Sequence, residues 1–179
     1  MGNMASPAGV SLFRAEPADL PVRGGMATLL PVRMPIPRSF TKRGRKAGVP
    51  DPTRSGQPCV GVDLVAIARV RQVFDGRAEL LRTVFTAEEL RYCSRHKNPF
   101  PHLAARYAAK EAAVKGLGTG ITGEISWLDA EIVHGPLGEP RLILRGEAAR
   151  LAEAKGLHRC AVSLSHAGDY AMAAVLFTA

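Results

Sequence analysis

The chain reads as an α+β domain in which a mostly antiparallel sheet packs against one long helix, preceded by an extension that does not belong to the fold. Three observations predict this. Short apolar runs with strand character stand at both ends of residues 59–179, with helical segments between them and no regular βα alternation. An alanine-rich stretch from Pro101 to Gly116 is long enough to be the central helix. Residues 1–58 carry nine Lys+Arg against three Asp+Glu and are repeatedly broken by proline, whereas residues 59–179 carry fifteen against thirteen. The high isoelectric point, about 9.9, is therefore mainly a property of the extension.

Taken in order, residues 1–58 show no sustained periodicity. They are expected to be disordered, or to lie upstream of the true start at Met26 or Met34. A basic arm for RNA or an acidic partner, built on Lys42-Arg-Gly-Arg-Lys46, is the alternative. From Cys59 a buried strand runs through Val65 with Asp63 inside it, and Ile67, Val70, Val73 and Phe74 have helical spacing. A short helix is expected over 80–85. Thr86-Ala-Glu-Glu89 forms a capping box that starts a helix reaching about Cys93. Pro101 fits the first turn of the long helix, and Gly116 and Gly118 end it. Residues 124–134 read as a strand with Trp127 and Leu128 among its anchors. Gly135-Pro-Leu-Gly138 then turns it into a returning strand over 140–144. A helix over 146–155 and two strands over 160–165 and 170–177, joined by His166-Ala-Gly-Asp169, complete the domain.

Several function classes drop out. The folded part is nearly charge-balanced, which argues against nucleic-acid binding by the domain. No apolar run approaches the length of a membrane span. Cys59, Cys93 and Cys160 are widely spaced and suit a reducing compartment, so a cytoplasmic protein is expected. A P-loop, a dinucleotide fingerprint and a nucleophile elbow are all lacking.

Three places carry chemistry. Asp63 is a carboxylate in an apolar strand, which is costly unless it caps the next helix, pairs with an arginine such as Arg69, or binds a cation. Glu111 and Lys115 are four apart on one helical face, in the order that favours a surface ion pair, which is the first reading of the segment taken alone; charges on such a helix can also face a ligand. His166 ends the strand carrying Ser163 and Ser165, either as a hydrogen-bonded structural residue or as the end of a hydroxyl-lined face. His96 and His102 lie in and beside a loop, His134 and His158 look peripheral, and none has metal-ligand spacing. One strand carboxylate and one helix carboxylate with cations nearby would be the minimum needed to hold Mg2+ against a pyrophosphate.

The segments Gly61-Val-Asp63-Leu-Val, Phe85-Thr-Ala-Glu-Glu-Leu90, Arg106-Tyr-Ala-Ala-Lys-Glu111-Ala-Ala-Val-Lys115-Gly-Leu-Gly118-Thr-Gly-Ile and Ser163-Leu-Ser-His166, in this order, resemble the holo-acyl-carrier-protein synthase family of small 4′-phosphopantetheinyl transferases. The resemblance covers residues 59–179. It implies transfer of phosphopantetheine from coenzyme A to a serine of an apo acyl carrier protein, releasing adenosine 3′,5′-bisphosphate, in fatty-acid or polyketide synthesis. It implies Asp63 and Glu111 as ligands of Mg2+, Lys115 as a contact stabilising the leaving group, and Arg106 and His166 as further phosphate contacts. Gly118 would let backbone approach the nucleotide. Glu111 or a metal-bound water would take the serine proton, and Arg69 would meet the acidic face of the carrier protein. The family's enzymes are trimers with active sites between subunits, so a trimer is expected here. The competing expectation is a coenzyme A or nucleotide-binding module without transfer activity, in which binding would survive loss of Glu111.

Overall fold

The computed structural model describes residues 56–121 and 124–179; the expectations for the extension lie outside these residues except at its last three positions. Strand β1 (Cys59–Ala66) leads into helix α1 (Ile67–Phe74), followed by α2 (Ala78–Val84), α3 (Ala87–Ser94) and the long α4 (Phe100–Gly116). A 3-10 turn (Trp127–Asp129) precedes the hairpin β2 (Ala130–His134) and β3 (Pro140–Leu144), then α5 (Gly146–Ala154), β4 (Arg159–Ala167) and β5 (Tyr170–Thr178). The strands form a three-stranded sheet in the order β1-β5-β4 and a separate two-stranded sheet β2-β3, and all their pairings are antiparallel. An α+β fold with antiparallel sheets is thus what the chain adopts.

One expectation is corrected. Residues 124–129 do not extend β2: Ser126 accepts from the Leu128 N–H and the Asp129 carboxylate takes the Ser126 N–H, closing a turn instead. Short polar side chains that bond nearby backbone compete with a ladder in this way. Leu128, read as a strand anchor, is left exposed.

Helix α4 is the axis of the domain. It is apolar almost all round, with Leu103, Ala104, Ala105, Ala108, Ala109, Ala112, Ala113 and Val114 buried, as expected of a helix enclosed by other elements rather than lying on a surface. Pro101 occupies its first turn. The side toward β1 and β5 is built from small residues, which lets the helix backbone approach the sheet. At the closest point stands Gly61. A β-carbon there would lie 2.6 Å from the Gly116 nitrogen and nearer still to the Ala112 carbonyl oxygen. Opposite, Gly116 meets the Phe177 ring.

Among the described residues no helix covers the outer face of the same sheet. Val60, Val62 and Leu64 of β1 alternate with buried residues and stand beside Leu176, Ala174 and Met172 of β5. Val60 is 65% and Leu64 61% exposed.

Candidate active site

Strand alternation puts Asp63 on the face that carries Gly61 and Val65, the face α4 covers. Because Gly61 seats against Ala112 and Gly116, the residue two positions on meets α4 at Glu111 and Lys115. The Lys115 ammonium donates to Asp63 Oδ1 at 2.6 Å. Asp63 does not cap α1, whose N-cap is Ala66 with no side-chain bond. Glu111 faces the same spot. Its carboxyl is held above the ordinary range first by burial, then by the neighbouring Asp63, with Lys115 opposing. Two carboxylates converge, one of them partly dehydrated, with an ammonium beside them. The arrangement is short of positive charge and offers hard oxygen ligands, which fits a divalent cation. Tyr107, one turn before Glu111, lines the same face. Its phenol is pushed up by burial and by Glu111 and Asp63, with Arg69 of α1 opposing, and its ring stacks on Trp127. Arg69 therefore approaches the edge of this face. Gly118, at a φ of 73°, takes the left-handed conformation just beyond α4, with Lys155 Nζ close to where a side chain would start.

Arg106 lies elsewhere. At about 3.6 residues per turn it is offset round the helix by roughly 100° from Tyr107, 140° from Glu111 and 180° from Lys115. Only 3% exposed, it donates to the His102 carbonyl at 3.2 Å, contacts His134 Nε2 at 3.4 Å and stacks over the Tyr92 ring. His166 joins this second group, its ring edge-on to His102. The strand does not make one hydroxyl-lined face ending in the imidazole. Ser163 and Ser165 pair with Ala174 and Met172 on the outer face, while His166 pairs with Ala171 on the other.

Two features escaped the sequence reading. The capping box at Thr86 and Glu89 is present as expected. Glu89, however, is completely buried, where it also binds Lys110 Nζ at 2.9 Å and takes the Ile132 N–H at 3.0 Å. Lys110 donates further to the carbonyls of Trp127, at 3.0 Å, and Ala130. Its ammonium is thus fully partnered, although burial still lowers its proton affinity against the pull of Glu89. Around this pair Thr86 donates to Glu131, which Arg145 also binds and holds below the usual carboxylate range. The signal was available: a helix apolar on every side has no surface on which to place all three of its cations. The second feature is the histidines. His96 and His102, read only as lying in and beside a loop, stack at 3.6 Å, and His134, expected to be peripheral, stacks on Tyr92 at 4.0 Å.

Similarity to known proteins agrees with this picture. Residues 59–175 match the family described as the 4′-phosphopantetheinyl transferase superfamily. The chain is 49% identical over 119 residues to a holo-[acyl-carrier-protein] synthase of Syntrophotalea carbinolica, covering 66% of this chain and 93% of that one. It is 46% identical over 114 residues to the synthase of Geotalea daltonii, covering 63% and 91%. Among solved structures, the Neisseria meningitidis holo-[acyl-carrier-protein] synthase superposes with a TM-score of 0.60 at 32% identity, over 68% of this chain and 98% of that one. The Helicobacter pylori synthase in complex with coenzyme A gives 0.58 at 27% identity, over 66% and 99%. Matched over most of its described residues in both sequence and fold, the chain belongs to the 4′-phosphopantetheinyl transferase superfamily.

Proposed function

We propose that residues 59–179 are a Mg2+-dependent holo-[acyl-carrier-protein] synthase, moving 4′-phosphopantetheine from coenzyme A to a serine of an apo acyl carrier protein. The observation that carries this is the convergence of Asp63, Glu111 and Lys115 where α4 crosses β1, in a chain whose relatives bear that name and include a coenzyme A complex. The serine oxygen bonds to the phosphorus bearing the pantetheine arm, the bond from that phosphorus to adenosine 3′,5′-bisphosphate breaks, and the serine proton leaves. Asp63 and Glu111 would hold Mg2+, which neutralises pyrophosphate oxygens and orients them for in-line displacement. Glu111 or a metal-bound water would accept the serine proton. Lys115, partly exposed beside Asp63, would contact a phosphoryl oxygen and stabilise the charge developing on the leaving group. Gly118 would leave room for the nucleotide and Arg69 would meet the acidic carrier.

The active enzyme is read as a homotrimer with shared sites. Arg106 and His166 can act as phosphate contacts only if another copy brings them to the Asp63–Glu111 face, since on one chain they point elsewhere. The apolar face of β1 and β5, uncovered among the described residues, is the kind of surface a second copy would cover. A cytoplasmic location fits three free cysteines. Among the described residues no helix is long and apolar enough to cross a membrane.

The test is the intact mass of an apo acyl carrier protein after incubation with the enzyme, coenzyme A and Mg2+. A phosphopantetheine-sized gain is expected, abolished by EDTA and reduced at least about 100-fold in rate by Asp63→Asn or Glu111→Gln. Full activity in either variant would overturn the metal assignment. Coenzyme A binding without any mass gain would favour the non-catalytic binding module.

A further inference from the structure

Lys155 has no role in the site described above, yet it joins the ends of two helices. Helix α4 finishes in a left-handed turn with Leu117 as its C-cap. The Gly118 N–H bonds the Lys115 carbonyl at 2.9 Å and the Thr119 N–H bonds that of Val114 at 3.0 Å. Helix α5 finishes the same way, with Lys155 as C-cap and Gly156 at a φ of 66°; Gly156 donates to Glu153 and Leu157 to Ala152. The Lys155 ammonium then crosses to α4 and donates to the Leu117 carbonyl at 2.5 Å. The C-cap residue of one helix thus caps the other.

Three observations give this contact a consequence beyond holding two helix ends together. The bonds within the α4 turn take the carbonyls of Val114 and Lys115, which leaves the carbonyl of Leu117, a residue with no exposed surface, to an outside donor. Lys155 is itself fixed at both backbone atoms. Its N–H donates to Leu151 and Ala152, and its carbonyl takes the Gly56 N–H at 2.9 Å, just ahead of the strand that carries Asp63. Finally, the basic residue in the last turn of α4 is Lys115, and its ammonium is spent on Asp63. The negative end of the α4 dipole is therefore met by Lys155 from another helix. The fit is close: a β-carbon at Gly118 would stand 3.2 Å from the Lys155 ammonium.

We propose that Lys155 is a positioning residue for the transfer reaction, acting through Lys115. This rests on the proposed function for its reaction. The turn that Lys155 fastens closes on the Lys115 carbonyl, so the same clamp sets where the Lys115 backbone, and with it the ammonium, stands relative to Asp63. Lys155 also neutralises the helix end onto which Lys115 would otherwise fold back. Without it the last turn of α4 frays, and Lys115 is shared between that end and the site. A charge needed only as the leaving group departs is then misplaced, which lowers kcat and leaves substrate binding nearly as it was.

The experiment is a double-mutant cycle on the transfer reaction, using the full-length enzyme, coenzyme A, Mg2+ and an apo acyl carrier protein. Circular dichroism would establish that each variant is folded at the assay temperature. Lys155→Met should lower kcat about tenfold while KM for both substrates stays within about twofold. Lys155→Arg restores a cationic donor and should recover most of the loss. Lys115→Met should lower kcat by about 100-fold or more. Adding Lys155→Met to it should change nothing further, because the effect runs through Lys115. Without any substrate, hydrogen exchange at the Gly118 and Thr119 amides should be faster in Lys155→Met than in the unsubstituted chain. Lys155→Gln, neutral but still a donor, carries the same cycle where the methionine variant does not fold. A folded variant with unchanged kcat, or a loss that multiplies in full with that of Lys115→Met, would overturn the proposal and leave the proposed function standing. An unsubstituted enzyme that transfers nothing would overturn both.

Discussion

Replacing Lys110 with methionine is the sharpest test of how the domain is held together. The substitution keeps the length of the side chain and removes the ammonium. Glu89 then keeps its two backbone donors, Thr86 and Ile132, but loses the Lys110 ammonium, and the carbonyls of Trp127 and Ala130 each lose a donor. Both side chains are fully inaccessible to solvent, so water cannot make good the loss without opening the fold. Breaking one side of a buried pair costs about 3–5 kcal/mol. In a folded part of this size that corresponds to a fall in Tm of roughly 10–20 °C. Urea unfolding followed by circular dichroism, at fixed protomer concentration and pH 7, would measure it. Adding Glu89→Gln to Lys110→Met should recover part of the loss, because the orphaned charge is gone while an amide oxygen can still accept from Ile132. Hydrogen exchange at the Ile132 amide should report the same opening locally. A cost for Lys110→Met below about 1 kcal/mol, or a double variant whose losses simply add, would refute the argument that the two residues act as one buried pair.

Other outcomes follow from particular contacts. Gly61→Ala drives a methyl group into the backbone of α4 at Ala112 and Gly116. It should cost about 1–3 kcal/mol of stability in urea melts and, by shifting Glu111 and Lys115 from Asp63, lower the transfer rate on the order of 100-fold. Leu64→Lys places a charge in the exposed apolar stripe of β1. Light scattering should then show smaller assemblies than the unsubstituted chain forms, whereas an unchanged mass would remove that face from the interface. His102 binds a proton less readily when folded than when unfolded. Its contribution to stability is therefore whole above about pH 6.5 and is lost as pH falls toward 4. The pH dependence of unfolding across that window should flatten in His102→Asn.

How far the chain could be read beforehand depended on whether the determinants were local. The Thr86–Glu89 box, Pro101 in the first turn of α4 and the hairpin around Gly135 and Gly138 are decided within a few residues, and each appears where expected. Asp63 stood out because a strand buried on one side exposes any charge placed there. Glu111 and Lys115 stood out by their spacing. What could not be read were the properties that depend on residues far apart in sequence. Nothing near Glu89 says that its second oxygen meets a backbone amide 43 residues later. Nor does anything near His102 say that a strand more than sixty residues on will bring His166 against it. The misread segment at 126–129 has a different origin. There the apolar residues suggested a strand, but the local hydrogen bonds of Ser126 and Asp129 took precedence.

The two faces of α4 have consequences for assembly that neither has alone. Lys110 and Glu111 are adjacent in sequence and opposite in circumstance: one is sealed against Glu89, the other faces Asp63. The first fixes the rotation of the helix about its axis, and that rotation is what presents the second to the strand. The same rotation aims Arg106 away from Asp63 and into the histidine cluster. A phosphate held by Arg106 and His166 of one chain is therefore on the wrong side of α4 to meet that chain's own carboxylates. If both groups serve a single coenzyme A, they must come from different copies. Loss of transfer activity in an Arg106 variant should then be restored, in part, by mixing it with a Glu111 variant before assembly, since some mixed interfaces would receive one intact half-site from each chain. Absence of any restoration in demonstrably mixed oligomers would mean that Arg106 acts within its own chain, through the packing of Tyr92 and His134, and takes no part in a shared site.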